Sequence, residues 1–212
     1  MRIFLAGASG VIGIRLLPLL VGQGHVVAAM TRSPEKAERL RRLGGEPVVC
    51  DVFDADRLTE AVERFEPQAV MHQLTDLPDR LDELDAYAAG NDRIRSEGTS
   101  NLIAAAKASA AAHFVAQSIA WRPGGARDEV VDQHERLVLE IGGIVARYGR
   151  LYGPGTYYEE MLPPLPRIQI DEAVYATLPL LEASAGIVLI VEPDRRLPLT
   201  RDSGQRSAPR CR

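Results

Sequence analysis

The sequence predicts an α/β protein built on a doubly wound parallel sheet, with a small C-terminal appendage. The first observation is that short apolar runs alternate with helix-like segments over about the first 150 residues. This alternation favours parallel strands joined by crossover helices on both faces of the sheet. The second is a change of rhythm after about Gly149, where prolines cluster at positions 163, 164 and 166. We therefore divide the chain into a main domain (1–150), a reduced segment (151–192) and a polar tail (193–212), in which we expect disorder.

The elements of the first half follow from apolar strands and amphipathic segments. The run that ends at Ala6 is apolar throughout, which predicts a buried strand. Ser33 and Pro34 are of the types that cap and begin a helix. Pro18 lies inside the first predicted helix, where we expect it to kink or destabilise the helix. Strands are predicted at 3–6, 25–31, 47–50 and 69–73, and helices at 11–21, 33–43 and 55–65.

The second half continues the alternation. A polar, Asp-rich loop is predicted at 75–82, and the helical region after it is best defined at 99–112, which is rich in alanine. Strands are predicted at 113–117, 144–147 and 186–191, and helices at 129–141 and 168–182.

Three glycines spaced three apart follow the first strand. Gly7 allows a sharp turn, Gly10 allows backbone to approach a diphosphate, and Gly13 allows the helix to pack closely on the strand. The start of the helix then offers free N–H groups and a partial positive charge to phosphates. A structural turn without a ligand is the alternative. The predicted cofactor loop comprises Gly7, Ser9, Gly10, Val11, Ile12 and Gly13.

The end of the second strand bears on the choice of nucleotide. An acidic residue there favours NAD, whereas an arginine favours the 2′-phosphate of NADP. This strand ends in Thr31, Arg32 and Ser33, which can donate hydrogen bonds to a phosphate. We therefore predict NADP as the cofactor, with NAD as the alternative. The competing interpretation of Arg32 is a solvated loop charge.

Composition excludes several classes of protein. The net charge of −4 and the lack of a basic stripe argue against a nucleic-acid partner. No apolar stretch approaches the ~20 residues of a membrane span, so we expect no membrane partner. Two cysteines and four scattered histidines give no disulfide framework and no metal-ligand spacing. Glycines and Arg15 interrupt the apolar N-terminus, so a signal peptide is not favoured and we expect a cytoplasmic protein.

Six stretches carry a resemblance to a known family: GASGVIG at 7–13, CDV at 50–52, VMHQL at 70–74, EGTSNL at 97–102, FVAQS at 114–118 and RYGRLYGPGT at 147–156. Together they resemble the extended and atypical short-chain dehydrogenases/reductases, the NAD-dependent epimerase/dehydratase family. The resemblance covers roughly residues 1–160, and a weaker similarity extends over 168–191. It implies a Rossmann-type NAD(P)-binding domain at 1–150 and a substrate-side segment at 151–192. Members of the family often pair through helices, so a homodimer is one possible state, and the sequence leaves the oligomeric state open.

The resemblance also implies roles for residues after the strands. Asp51 would accept a hydrogen bond from the adenine amino group, although a turn or capping aspartate is the alternative. Ser118 falls where the family has a catalytic hydroxyl, with a satisfied loop hydroxyl as the alternative. These positions are strand ends, where open α/β sheets bind ligands. The implied cofactor-binding residues after the glycine loop are Asp51, Val52, Gln73, Leu74, Thr75, Tyr148 and Gly149.

The sequence departs from the family where catalysis is concerned. The family uses a tyrosine with a lysine four residues on, which lowers the tyrosine pKa for proton transfer. Neither Lys36 nor Lys107 follows a tyrosine at that spacing, and 121–141 contains no tyrosine. Arg95 stands where the resemblance places an active-site asparagine, and Asn91 lies one turn earlier. The short C-terminal part implies an open site that excludes less water.

Two further groups of residues bear on catalysis. His134 and Glu135 share a predicted helix, and we expect a solvated surface position for this histidine. Three tyrosines after the sixth strand could line the substrate side, but packing under a loop is the favoured interpretation; they are Tyr152, Tyr157 and Tyr158.

Two functions from different classes follow. The first is an NADP-dependent oxidoreductase or epimerase-like enzyme that acts on a small carbonyl or sugar-like substrate, with Ser118 polarising the oxygen. The second is a catalytically impaired NADPH-binding sensor or interaction module, which would keep the glycine loop and lose the proton donor. A shortened relative with neither property is a third alternative.

Overall fold

The computed structural model describes residues 1–193, in which nine strands form two parallel sheets. The strands are β1 (Arg2–Ala6), β2 (Val26–Thr31), β3 (Glu46–Val49), β4 (Ala69–His72), β5 (His113–Ile119), β6 (Ile144–Tyr148), β7 (Arg150–Tyr152), β8 (Arg167–Gln169) and β9 (Gly186–Ile190).

Seven α-helices connect these strands. They are α1 (Gly13–Gly22), α2 (Ala37–Arg42), α3 (Ala55–Phe65), α4 (Leu84–Arg93), α5 (Thr99–Ala108), α6 (Ala126–Glu140) and α7 (Ile170–Thr177). Short 3-10 turns lie at Pro34–Lys36, Leu81–Glu83 and Leu178–Leu181, and a π-helical turn at Ile94–Gly98 joins α4 to α5.

The main sheet has seven strands in the order β3-β2-β1-β4-β5-β6-β9, and all neighbouring strands are parallel. The chain moves outward in one direction from β1 to β3 and then returns to the other side of β1 at β4. Ligands of open α/β sheets bind outside the carboxyl ends of the strands at such a reversal. The β1–β4 boundary is therefore the expected ligand crevice. A two-stranded sheet of β7 and β8 lies apart from it.

The hydrophobic core has two layers, one on each face of the main sheet. On one face α1 contributes Leu16, Leu17 and Leu20, and α7 contributes residues such as Ile170. On the other face α3 and α5 bury apolar side chains such as Leu102. Both faces are thus covered, which confirms the doubly wound α/β prediction.

Most predicted elements are present, with shifts at their ends. The helix predicted at 33–43 is a 3-10 turn followed by α2, and the Ser33 side chain makes no capping bond. Helix α1 continues through Pro18, because its buried leucines hold it against the sheet. The helix predicted at 168–182 was wrong at its start, since Ile168 lies in β8. Helix α7 begins after Gln169, whose side-chain oxygen caps the amides of Asp171 and Glu172.

The short strands β7 and β8 and helix α4 were not predicted as separate elements. Strand β9 extends the main sheet beside β6. Among residues 1–193, no helix combines the length and apolarity that a membrane span requires. The tail for which disorder was predicted lies, apart from Pro193, outside the described residues.

Candidate functional site

The glycine turn after β1 lies against the chain that follows β4. Gly7 has φ +88°, and a Cβ there would lie 2.6 Å from the carbonyl carbon of Gln73. A Cβ on Gly13 would overlap the carbonyl oxygen of Gly7. These two glycines are therefore required by the close packing of turn, strand and helix.

Gly10 is different, because it is exposed and a Cβ there would meet only the Gly7 carbonyl oxygen, at 3.3 Å. Within residues 1–193, the backbone amides of Ser9, Val11 and Ile12 donate no hydrogen bond. Helix α1 begins directly behind them and has no acidic residue in its first turn. The turn thus presents free N–H groups and the positive end of a helix dipole to an anion.

The residues present fit a pyridine dinucleotide. Gln73 is buried beside the glycine turn, its Nε2 lies 3.4 Å from the Tyr148 hydroxyl, and its Oε1 has no partner. Exchanging the two amide atoms would still leave one of them unpaired. A bound ligand can supply the missing partner. Leu74 is half-buried and Thr75 exposed at the same strand end, so these residues would line the cofactor while the glycine turn holds its diphosphate.

Arg32 directly follows β2, and its side chain is hydrogen-bonded to the loop that follows β4. Its Nη2 donates to Asp76 Oδ1 at 2.8 Å, and the Arg32 side chain is 61% exposed. The backbone of Asp76 is itself held in place, because its amide donates a hydrogen bond to Asn91 Oδ1. Since β1 lies between β2 and β4, this ion pair spans the end of β1. Arg32 is therefore exposed, as the competing interpretation expected, but it is not free of a partner.

Asp51 and Val52 follow β3. The Asp51 carboxylate accepts the Phe53 amide at 2.9 Å and is exposed, which is the geometry of a turn aspartate. Val52 is buried, and Asn101 donates to its carbonyl oxygen. The contact of Asp51 with adenine stays a prediction.

Ser118 is the last buried residue before the end of β5. Its hydroxyl donates to Glu135 Oε1 at 2.6 Å, and Ser118 is only 1% exposed. Glu135 also accepts hydrogen bonds from Arg147 on both oxygens. Burial by itself would raise the pKa of Glu135, but the hydrogen bonds from Arg147 and Ser118 outweigh it and lower that pKa. This geometry supports the satisfied-hydroxyl interpretation of Ser118, and its catalytic role stays a prediction.

Tyr148 is the last residue of β6, and Gly149 follows it. The Tyr148 hydroxyl is 2.6 Å from the Thr177 hydroxyl, and burial raises the Tyr148 pKa to about 12. This tyrosine is therefore neutral at physiological pH and does not replace the missing phenolate. A Cβ on Gly149 would lie 2.6 Å from the backbone of Arg167, so this glycine allows β8 to approach.

Two histidines that were not predicted as a pair share one buried threonine. The Thr99 hydroxyl lies 3.1 Å from His72 Nε2 and 2.8 Å from His134 Nδ1, and His134 Nε2 lies 2.8 Å from the Gln117 carbonyl oxygen. The expected surface position of His134 was wrong, because this side chain is fully buried. The spacing of Val131, His134 and Val138 on α6 is the signal that could have placed it inside.

This pair predicts acid sensitivity. Burial lowers the pKa of both His72 and His134, so the folded state binds fewer protons than the unfolded state below the usual histidine pKa near 6.5. The free energy of unfolding should fall as pH drops from 6.5 to 5, by up to about 1.4 kcal/mol per pH unit for each histidine. Urea unfolding over this range measures the slope.

A matched variant isolates one histidine. His134→Gln keeps a donor and an acceptor for Thr99 and Gln117 but cannot titrate. We expect the unfolding free energy of this variant to depend less steeply on pH, because unfolding would take up about one proton fewer than in the wild type. An identical slope in the variant and the wild type would contradict the assignment.

Helix α6 occupies the segment where the family would carry its tyrosine and lysine. Its buried side chains are Val131, His134, Glu135 and Val138, and the sequence of the helix contains neither tyrosine nor lysine. The loop after β7 contacts the loop after β4, because the Tyr157 hydroxyl donates a hydrogen bond to the Pro78 carbonyl oxygen.

These two loops border an open cavity of about 420 Å³. Tyr158 and Met161 line it from the loop after β7, and Asp79 and Leu81 line it from the loop after β4. The bond from Tyr157 to Pro78 supports the packing interpretation of that tyrosine.

Comparison with known proteins places the chain in a family. A family model described as NAD(P)H-binding matches residues 7–147. A 3-diazoavenalumate denitrifying reductase from a Streptomyces species is 34% identical, over 93% of this chain and 78% of the reductase. A 4-hydroxy-2-methyl-3-oxo-4-farnesyl-3,4-dihydroquinoline-1-oxide ketoreductase from Stigmatella aurantiaca is 37% identical, but over only 29% of this chain and 19% of the ketoreductase.

Solved structures share the fold at low identity. The UDP-glucose 4-epimerase of Thermus thermophilus, in complex with NAD, has a TM-score of 0.74 at 17% identity and covers 90% of this chain and 78% of the epimerase. The UDP-glucose 4-epimerase of Thermotoga maritima, with UDP-glucose, has a TM-score of 0.75 at 16% identity, over 90% of this chain and 77% of the epimerase. At such identities the likeness shows the fold alone.

The alignment with the Streptomyces reductase also shows that the two proteins differ in length within the aligned region. It runs over 240 positions, whereas 93% of this chain is about 197 residues. The reductase therefore carries at least about 40 residues within the aligned stretch that this chain lacks. The chain belongs to the NAD(P)H-binding family.

Proposed function

We propose that this protein is an NADPH-dependent reductase of aryl diazonium compounds. The observation that carries the proposal is the open glycine turn with free amides, in a chain that lacks the tyrosine and lysine of carbonyl chemistry. The 34% identity to a denitrifying reductase named for a diazo substrate supports the same class.

The missing dyad favours an electrophile that needs no proton donor. A reduced nicotinamide, when bound, supplies a hydride. Hydride addition to a carbonyl leaves an alkoxide, which must be protonated by a nearby acid. Addition to the terminal nitrogen of an aryl diazonium leaves a neutral aryl diazene, Ar–N=N–H. Loss of N₂ then gives Ar–H, so no acid is consumed and atoms and charge balance.

The residues of this chain would bind and orient rather than exchange protons. The free amides at Val11 and Ile12 would hold the diphosphate, and Gln73 would offer its unpaired amide atom to the cofactor. Tyr148 is neutral and buried, and the Ser118 hydroxyl already donates to Glu135. The cytoplasmic location and the homodimer stay predictions.

The experiment compares two substrates of similar shape. NADPH oxidation at 340 nm is followed with 4-hydroxybenzenediazonium and with 4-hydroxybenzaldehyde, against reactions without protein. We expect protein-dependent oxidation and release of N₂ with the diazonium alone. Turnover of the aldehyde but not of the diazonium would contradict the proposal. NADPH binding without turnover of either compound would favour the sensor alternative.

The preference for NADP rests on Arg32. Its guanidinium suits a 2′-phosphate, but Asp76 holds it at 2.8 Å. We infer that the Asp76 carboxylate competes with the phosphate for Arg32. Asp76→Asn should therefore tighten NADPH binding about three- to tenfold and change NADH binding less than about twofold.

Matched variants test this assignment by nicotinamide fluorescence titration. Asp79→Asn removes an exposed carboxylate from the same loop and should change neither affinity. Arg32→Met should weaken NADPH binding about tenfold or more and spare NADH. Equal changes for both nucleotides in Asp76→Asn would count against a role in 2′-phosphate recognition.

A further inference from the structure

Arg95 is a buried cation without a hydrogen-bonded counter-ion. It lies on the π-helical turn between α4 and α5 and is 7% exposed. Its Nε has no partner, and the Asp92 carboxylate is 3.9 Å from Nη1, beyond hydrogen-bond length. Burial lowers the pKa of Arg95. Buried charges in proteins are normally paired, so we expect this guanidinium to bind an anion.

The acidic side chain that faces Arg95 from α6 is already engaged. Both oxygens of Glu135 accept hydrogen bonds from Arg147. Arg127, also on α6, adds a second positive charge that acts on Arg95, and its own ion pair with Asp85 is at 3.8 Å. Asp92 and Glu135 thus lie near Arg95 as negative charges, but neither accepts a hydrogen bond from its guanidinium.

The nearby histidines add no counter-charge. Burial is the main reason for the lowered pKa of His72 and of His134, and the charge of Arg95 lowers both further. Both rings are therefore neutral at physiological pH and supply no negative group to Arg95.

The position of Arg95 points to the ligand crevice. Asn91, one helical turn earlier, accepts the Asp76 amide in the loop after β4. His134, on the other side, lies against the end of β5 through the Gln117 carbonyl. Arg95 thus lies between the loop after β4 and helix α6, at the carboxyl ends of two central strands. Single π-turns of this kind often occur at functional sites.

We infer that Arg95 binds the carboxylate of an aromatic carboxylate substrate. The planar guanidinium matches a carboxylate in a two-pronged hydrogen bond, and its unpaired Nε is one of the donors for such a pair. The inference rests on the proposed reductase function, and the relative's substrate, named as an avenalumate, is itself a carboxylate. Holding the acid group at Arg95 would orient the ring and its electrophilic substituent in the crevice.

The test compares an acid with its uncharged amide. Calorimetric titrations of 4-hydroxycinnamate and 4-hydroxycinnamamide are made on the protein saturated with NADP⁺. We expect the wild type to bind the acid at least about tenfold more tightly. Arg95→Met should lose this preference, and Arg95→Lys should retain part of it. Arg93→Met is the matched control, because Arg93 lies two positions away, is exposed and pairs with Glu97.

Thermal melting adds a readout that a purely structural role would not give. Removing a buried guanidinium that has no hydrogen-bonded counter-ion should leave the Tm of Arg95→Met at or above that of the wild type. The acid should raise the Tm of the wild type and of Arg93→Met, and not that of Arg95→Met. If Arg95→Met does not fold, Arg95→Lys carries the comparison.

Failure of this inference can be told apart from failure of the proposed function. Equal affinities of the wild type for the acid and the amide would overturn the role of Arg95, whatever the cofactor does. Absence of NADPH binding would overturn the reductase, and the same titrations on the free protein would still test the carboxylate site.

Discussion

Gly10→Leu is expected to abolish NADPH binding while the fold stays intact. A Cβ at this position meets only the Gly7 carbonyl oxygen, at 3.3 Å, and the residue is exposed. A leucine side chain would therefore fill the space through which a diphosphate reaches the amides of Val11 and Ile12. We expect the affinity to fall at least about a hundredfold, or about 2.7 kcal/mol. Nicotinamide fluorescence titration measures the binding, and thermal melting reports the fold.

A glycine at the far end of α1 provides the control. Gly22 ends α1, and a Cβ there would meet nothing within 4 Å. Gly22→Leu should bind NADPH within about twofold of the wild type. A folded Gly10→Leu protein with unchanged affinity would show that the diphosphate does not bind at this turn.

The fold could be predicted wherever local signals agree with tertiary packing. Helix α3 was predicted with its observed bounds, because Asp54 caps its first turn and its apolar residues recur on one buried face. The start of α7 was missed because Ile168 belongs to β8. That strand exists through pairing with β7, and such a distant contact leaves no local pattern.

The site shows the same division. The glycine turn could be predicted because strand, turn and helix start are contiguous in sequence. The cluster of Ser118, Glu135 and Arg147 could not, because it joins β5, α6 and β6 across the sheet. Likewise the sequence identifies Arg32 but not its partner Asp76, which lies 44 positions away.

Hydrogen-bond pairing distinguishes the buried polar residues that hold the site together from those available to a ligand. Glu135 is nearly fully buried, and its carboxylate is saturated with donors. Gln73 and Arg95 are equally buried, but each has an unpaired atom. Because unpaired buried polar atoms are rare in native proteins, these two side chains are the ones from which a ligand would gain hydrogen bonds.

Glu135→Ala is therefore expected to destabilise the fold strongly. The substitution leaves the Ser118 hydroxyl and the Arg147 guanidinium without their acceptor, and breaking a buried ion pair in this way costs about 3 kcal/mol. Urea unfolding at pH 7 measures the loss. Because the pKa of Glu135 is lowered, its contribution is present above the ordinary glutamate pKa and is lost as pH falls through the folded-state pKa. The variant should therefore lose less stability than the wild type on acidification below about pH 4.5.

The control removes an equivalent carboxylate from an exposed pair. Glu97 accepts hydrogen bonds from Arg93 on both oxygens, as Glu135 does from Arg147, but its side chain is 44% exposed, against 4% for Glu135. Since exposed ion pairs contribute little, Glu97→Ala should leave the urea midpoint unchanged. Equal midpoints for the two variants would mean that the buried carboxylate does not hold α6 to the ends of β5 and β6.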